Sequence, residues 1–131
     1  MSMEKIIAEM FEKKSWAVVG ATQNPSKFGN KIFKKLQRNG YDVAPINPVY
    51  DDVEGVNTFK SLSDMPEKPE CVNIVVSPER ALNALEEAIK LGIKYVWFQP
   101  GAFNEDIIER AEVAGVNVVY HACVLVELDK I

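Results

Sequence analysis

Cysteine is scarce in this sequence and histidine scarcer: Cys71, Cys123 and His121 are the full complement among 131 residues. Two distant thiols make neither a disulfide framework nor a C-x-x-C pair, and they suit a reducing cytoplasm. His121-x-Cys123 offers two ligands where a zinc site needs about four. No Ser/His/Asp arrangement or paired carboxylates can be assembled, so nucleophilic and acid–base catalysis lack their usual parts. Long apolar runs are missing as well. The longest, Val116 to Leu128, is broken by Asn117, His121 and Glu127 and is too short for a membrane span. Met1 to Lys14 mixes charges throughout, so no secretory signal is expected. Basic excess is absent too: 15 Lys+Arg stand against 19 Asp+Glu, a net charge of -4, which argues against a nucleic-acid partner.

What is present is ordinary for a globular chain. Hydrophobic residues make up 47% and charged residues 26%, enough for a core in one domain spanning residues 1–131. Glu4 to Lys13 reads as an amphipathic helix. Trp16 to Val19 reads as a strand that stops at Gly20, and Phe28, Ile32 and Leu36 then mark one face of a helix closed by Asn39-Gly40. Tyr41 to Ile46 is a second strand, ending in Asn47-Pro48. Asp51 to Pro69 is irregular, with a turn at Gly55 and one helical turn at Ser61 to Asp64. Val72 to Val76 has the composition of a strand buried on both faces, and Ser77-Pro78 opens the next helix. Tyr95 to Phe98, a helix capped by Asn104, and Val116 to Val119 follow; the tail from His121 reads equally as helix or edge strand. This alternation predicts an α/β fold, a Rossmann-like doubly wound parallel sheet of about five strands with helices on both faces and strand order 3-2-1-4-5.

In such a sheet a ligand lies beyond the carboxyl ends of the strands. Those ends carry Gly20, Ala21 and Thr22, then Asn47 and Pro48, then Val76 and Ser77, then Gln99 and Gly101. The first loop matches neither G-x-G-x-x-G nor the P-loop, where Pro25 stands in place of the second glycine. It still leads from a strand into a helix N-terminus, which suits a phosphate. Lys27 sits at that terminus, where a cation costs about 0.3–1 kcal/mol unless an anion is bound, and Lys31 follows one turn later. Lys34, Lys35 and Arg38 read as a solvated face. No Asp or Glu stands at the end of the second strand, where a dinucleotide-binding domain places one for a ribose diol. His121 reads as a structural hydrogen-bonder and Cys123, between Ala122 and Val124, as buried and inert.

Taken together, these stretches resemble the small CoA-binding protein family, single domains similar to the CoA-binding domain of the succinyl-CoA ligase alpha subunit. The resemblance is carried by Val18-Val19-Gly20-Ala21-Thr22 with Pro25 and Lys27, and by Gly40 to Pro48. It continues through Gly55, Ser61-Leu62, Met65-Pro66, Trp97-Phe98-Gln99-Pro100-Gly101 and Cys123. It implies CoA or an acyl-CoA as ligand, with phosphates on the first loop and adenosine near Asn47-Pro48. The third strand departs from the pattern, lacking an Asp near its start and an aromatic near its end. The phosphorylated histidine of the ligase belongs to a second domain, so that role does not pass to His121.

The reading that follows is a non-catalytic cytoplasmic protein binding CoA through its nucleotide phosphates, with Lys27 and Lys31 supplying the cation for the 3′-phosphate. The rivals are a minimal NAD(P)-dependent oxidoreductase and a subunit that completes an acyl-CoA enzyme with a partner chain. Composition leaves homodimerisation and protein partners open.

Overall fold

The apolar run after Lys14 becomes strand β1, Ser15–Val19, second from one edge of a five-stranded parallel sheet. The computed structural model describes residues 2–131. Helix α1 (Met3–Glu12) precedes β1, and α2 (Phe28–Arg38) leads to β2 (Asp42–Ile46). The irregular segment holds a hairpin of β3 (Asp52–Val53) and β4 (Val56–Asn57), then one 3-10 turn, Leu62–Asp64. After it come β5 (Cys71–Ile74), α3 (Pro78–Lys90), β6 (Tyr95–Phe98), α4 (Glu105–Val113), β7 (Asn117–Val119) and α5 (Val124–Leu128). The undecided tail is therefore a short helix.

Strand alternation sends successive side chains to opposite faces, and each face has its own core. Trp16, Val18, Cys71 and Trp97 pack beneath α1, α2 and α5, against Met10, Phe11, Ile32, Phe33 and Val124. On the other face Ala17, Val72, Ile74, Val96 and Phe98 pack against Ala81 and Leu85 of α3 and Ile107 and Ala111 of α4. An aromatic cluster fixes α1 to the sheet: Phe11 lies 5.9 Å from Trp16 and 5.6 Å from Trp97, ring centre to ring centre. The Tyr41 hydroxyl donates to the Phe11 carbonyl at 2.7 Å. Phe28 departs from the inner face expected of it. As the first residue of α2 it projects beyond the sheet and is 58% exposed.

The strand order also departs from the expectation. Order 3-2-1-4-5 puts the third long strand outside the second, whereas β5 pairs with β1 in the register Trp16↔Cys71 to Val19↔Ile74, giving β2-β1-β5-β6-β7. The physical reason lies in burial. All four residues of β5 are buried, so the strand belongs inside the sheet, flanked on both edges. The outer edge of β2 is taken instead by one residue, Phe59, whose N–H and C=O bond Pro45 O and Asn47 N at 3.0 Å each.

The start of β1 is clamped from outside. The Glu70 carboxylate accepts from the Lys14 N–H (3.1 Å), the Ser15 N–H (3.2 Å) and the Ser15 hydroxyl (3.2 Å). The Ser15 N–H leads in holding this carboxyl below its ordinary 4.5, with the Lys14 N–H, the Ser15 hydroxyl and Lys13 adding to it against slight burial. A lowered carboxyl stabilises the fold fully above the unfolded value, and the contribution is lost as pH falls through the native one. Glu70→Gln should therefore lower the melting temperature at pH 7 while leaving stability unchanged at pH 2, with a loss below about 1 kcal/mol because the group is solvent-screened. Thermal melts across pH 2–7 check this; an equal loss at both ends would remove the electrostatic account.

Candidate functional site

The strand order reverses between the parallel neighbours β1 and β5: α2 leaves β1 on one face of the sheet and α3 leaves β5 on the other. A crevice opens there, beyond the carboxyl ends of the two strands. Gly20 ends β1 with φ +102, and a β-carbon on it would lie 2.8 Å from both the Val75 carbonyl oxygen and Val76 Cγ1. Gly29, in the first turn of α2, is tighter still, since its β-carbon would fall 2.1 Å from the Gly20 carbonyl oxygen. Two glycines thus bring the end of β1, the start of α2 and the end of β5 into backbone contact.

The loop between them is held by side chains. Asn47 Nδ2 donates to the Ala21 carbonyl at 2.8 Å, while its Oδ1 accepts from the Val49 N–H at 2.8 Å. Both ends of this amide are therefore engaged within the fold, and Asn47 anchors the turn. The Thr22 hydroxyl donates to the Tyr50 oxygen at 3.1 Å. Asn30 Nδ2 donates to the Thr22 carbonyl (2.8 Å) and to Glu54 Oε2 (3.1 Å).

Two joined cavities occupy the crevice. The inner one, about 480 Å3, has apolar walls from Ile46, Pro48, Val49, Tyr50 and Ala84, with Lys60, Arg80 and Glu87 as its charged groups. The outer one, about 650 Å3, is lined by Lys27, Phe28 and Gly29 of α2 and by Val76, Ser77 and Arg80 at the start of α3. Gly20, Thr22, Asn47, Val76 and Arg80 belong to both. Neither helix is capped by a side chain: the cap of α2 is Lys27, and Ser77 at the cap of α3 makes no such bond. Lys27, Lys60 and Arg80 have no carboxylate within 4.0 Å among the described residues, whose ion pairs lie elsewhere.

Of the expected residues, Gly20, Thr22, Lys27, Asn47, Pro48, Val76 and Ser77 come together here. Ala21 is buried beneath the loop and contributes its carbonyl to Asn47. Pro25 and Lys31 face a separate basic groove on α2 with Lys34, Lys35 and Arg38. Gln99 stands apart, buried below the tail: its Oε1 accepts from the Val124 N–H at 2.9 Å and its Nε2 donates to Cys123 Sγ at 3.3 Å. Gly101 lies exposed at the adjoining turn. Cys123 is half-buried, short of the full burial expected. His121 is exposed, with its ring 4.9 Å from Phe103. The sequence reading overlooked Gly29, Tyr50, Lys60 and Arg80. A glycine just inside a helical pattern signals close packing. Arg80, two residues after Pro78, is likewise a cation in the first turn of a helix, where it is unfavourable unless an anion is bound. Lys60 sits in the irregular segment and carries no signal.

The CoA binding domain sequence profile matches residues 14–129. This chain belongs to the CoA-binding domain family. A protein from Bacillus subtilis, uncharacterized protein YneT, is 28% identical over 121 residues, covering 92% of this chain and 90% of that protein. The alpha subunit of acetate–CoA ligase [ADP-forming] II from Pyrococcus furiosus is 29% identical over 125 residues, 87% of this chain but 27% of the subunit. The chain thus spans about a quarter of that ligase subunit. Among solved structures, a hypothetical protein from Pyrococcus horikoshii OT3 superposes with a TM-score of 0.92 at 35% identity, over 99% of this chain and 92% of the other.

The glycine contact makes the loop's geometry testable. Gly29→Ala forces the backbones of β1 and α2 apart and should cost about 1–3 kcal/mol, the range for overpacking a tight site. Gly115→Ala, whose β-carbon meets nothing within 4 Å, carries only the strain of its φ of +79 and serves as the comparison. Urea titration of both variants checks it; a Gly29→Ala loss no larger than that of Gly115→Ala would mean the loop relaxes freely.

Proposed function

We propose that this chain binds coenzyme A or an acyl-CoA in the crevice between β1 and β5, and that alone it does not turn the ligand over. The observation that carries the reading is the convergence on one crevice of two helix N-termini without side-chain caps and of three cations that have no ion pair among the described residues. Unsatisfied N–H groups and the positive ends of helix dipoles favour an anion. The pyrophosphate fits the outer cavity, against the loop Gly20 to Thr22, the start of α2 and Lys27. Adenosine fits the apolar inner cavity beside Asn47-Pro48. No carboxylate stands at the end of β2 to recognise a ribose diol, and Glu87, the carboxylate lining the inner cavity, already accepts from the Ser63 hydroxyl at 2.7 Å through Oε2. Both points favour coenzyme A over NAD.

The non-catalytic part of the reading rests on the side chains. Burial pushes the Cys71 thiol up to about 12, with Glu70 adding to the effect and Lys13 opposing it, so it supplies no thiolate at neutral pH. His121 packs against Phe103 and Tyr120 rather than on the crevice. No group of three or more metal-ligating side chains stands together among the described residues. No helix among them is long and apolar enough to cross a membrane. The two free cysteines fit a reducing compartment, the cytoplasm. A second reading draws on the ligase subunit, of which this chain matches 27%: a partner chain completes an acyl-CoA enzyme. Captured material from source cells that makes acyl-CoA, where the chain alone does not, would support it.

Calorimetric titration at fixed low salt tests the binding. Coenzyme A should bind more tightly than NAD, and Lys27→Glu should weaken coenzyme A about ten- to a hundred-fold, the value of a charge-assisted hydrogen bond of about 1.5–3 kcal/mol. The difference should shrink at high salt as screening grows. NAD binding as tightly as coenzyme A would remove the reading. Separately, neither acyl-CoA hydrolysis nor NAD(P)H oxidation should exceed the blank. Turnover by the pure chain that vanishes in His121→Ala would overturn the non-catalytic assignment.

A further inference from the structure

We infer that Arg80 is the residue that distinguishes coenzyme A from dephospho-coenzyme A, by meeting the ribose 3′-phosphate; the inference rests on the coenzyme A reading above. The two cavities meet at Gly20, Thr22, Asn47, Val76 and Arg80. A nucleotide with its base against the apolar inner walls and its pyrophosphate at the start of α2 must carry its ribose across that junction. Arg80 is the one cation, among the described residues, that lines both cavities. A phosphate on the ribose enters its reach, whereas one on the pyrophosphate bridge lies nearer Lys27.

Charge points to the same residue. Arg80 stands in the first turn of α3, where the helix dipole disfavours a cation and favours an anion beside it. It has no carboxylate partner within 4.0 Å among the described residues. Glu87, the carboxylate on the inner cavity, accepts instead from the Ser63 hydroxyl at 2.7 Å and the Ser63 N–H at 3.3 Å. A planar guanidinium offers a phosphate two parallel N–H bonds, which an ammonium does not. The other cations are less well placed. Lys27 lines the outer cavity only, Lys60 the inner only, and Lys31 faces the separate groove on α2.

The experiment titrates coenzyme A and dephospho-coenzyme A into the wild-type chain and into Arg80→Ala, Arg80→Lys and Lys27→Ala, with a thermal melt of each. The wild type should prefer coenzyme A about ten- to a hundred-fold, from the worth of one charge-assisted phosphate contact. Arg80→Ala should bring the two ligands to within about threefold by weakening coenzyme A alone, and Arg80→Lys should keep part of the preference. Lys27→Ala should weaken both ligands alike. A preference that survives Arg80→Ala, or an equal loss of both ligands in it, overturns the assignment while leaving the coenzyme A reading intact. Wild-type chain that binds neither ligand instead removes that reading, and the inference with it. Should Arg80→Ala melt early, the Arg80→Lys ratio decides alone: an undiminished preference there counts against the guanidinium.

Discussion

The Gly20 carbonyl and the α-carbon of Gly29 occupy a space that admits no side chain, and the position of α2 follows from that contact. A β-carbon on Gly29 would reach within 2.1 Å of the oxygen, so the helix starts flush against the end of β1. Its first turn thereby opens onto the crevice rather than onto the sheet edge. Gly20 is itself pressed against Val75 and Val76, which fixes the loop against the neighbouring strand as well. Glycine fingerprints of dinucleotide folds achieve a similar close approach with three glycines in six residues. Here two glycines nine positions apart do so, and the longer loop between them carries Thr22, Asn24 and Ser26. Asn24 Oδ1 accepts from the Ser26 N–H (3.0 Å) and hydroxyl (2.7 Å), which shapes the extra length without filling the crevice.

The distribution of charge follows from that geometry. The chain is acidic overall at -4, yet no carboxylate lines the outer cavity. The basic residues on the outer face of α2 are different in kind: Lys34 approaches Glu54 at 3.8 Å, and Lys35 meets Asp129 at 2.5 Å and the Leu125 carbonyl at 2.7 Å. Those lysines hold the hairpin and the tail in place. Among the described residues, Lys27, Lys60 and Arg80 in the crevice make no such ion pair.

Much of this was legible in the residues because local signals and burial agreed. Asn104 was read as a cap and accepts from the Ile107 N–H at 2.9 Å; Ser61 to Asp64 was read as one helical turn, and the 3-10 turn is there. Strand order was not legible, since burial of β5 on both faces does not name its neighbours, and β5 takes the place beside β1. That one placement moves the reversal from beside Gln99 to beside Val76 and Ser77, which is why Gln99 and Gly101 lie away from the crevice. Phe28 was misread because hydrophobic spacing cannot tell the first residue of a helix from its interior. Lys31 and Lys27 share a helix face by spacing, but Lys27, at the cap, lines the crevice while Lys31 lines the groove that also holds Pro25.

The hairpin of β3 and β4 is bound to the loop and to α2 by side chains rather than by strand pairing. Thr22 reaches Tyr50, Gln23 Nε2 reaches the Asp52 carbonyl at 2.9 Å, and Asn30 reaches Glu54, which itself sits at φ +49. Few backbone bonds stand behind these contacts, and segments so attached open well below the global unfolding free energy. Because the three bonds link the same two segments, neither segment opens without breaking them. Loop and hairpin therefore form one cooperative unit, and whatever orders the loop also lends protection to the hairpin.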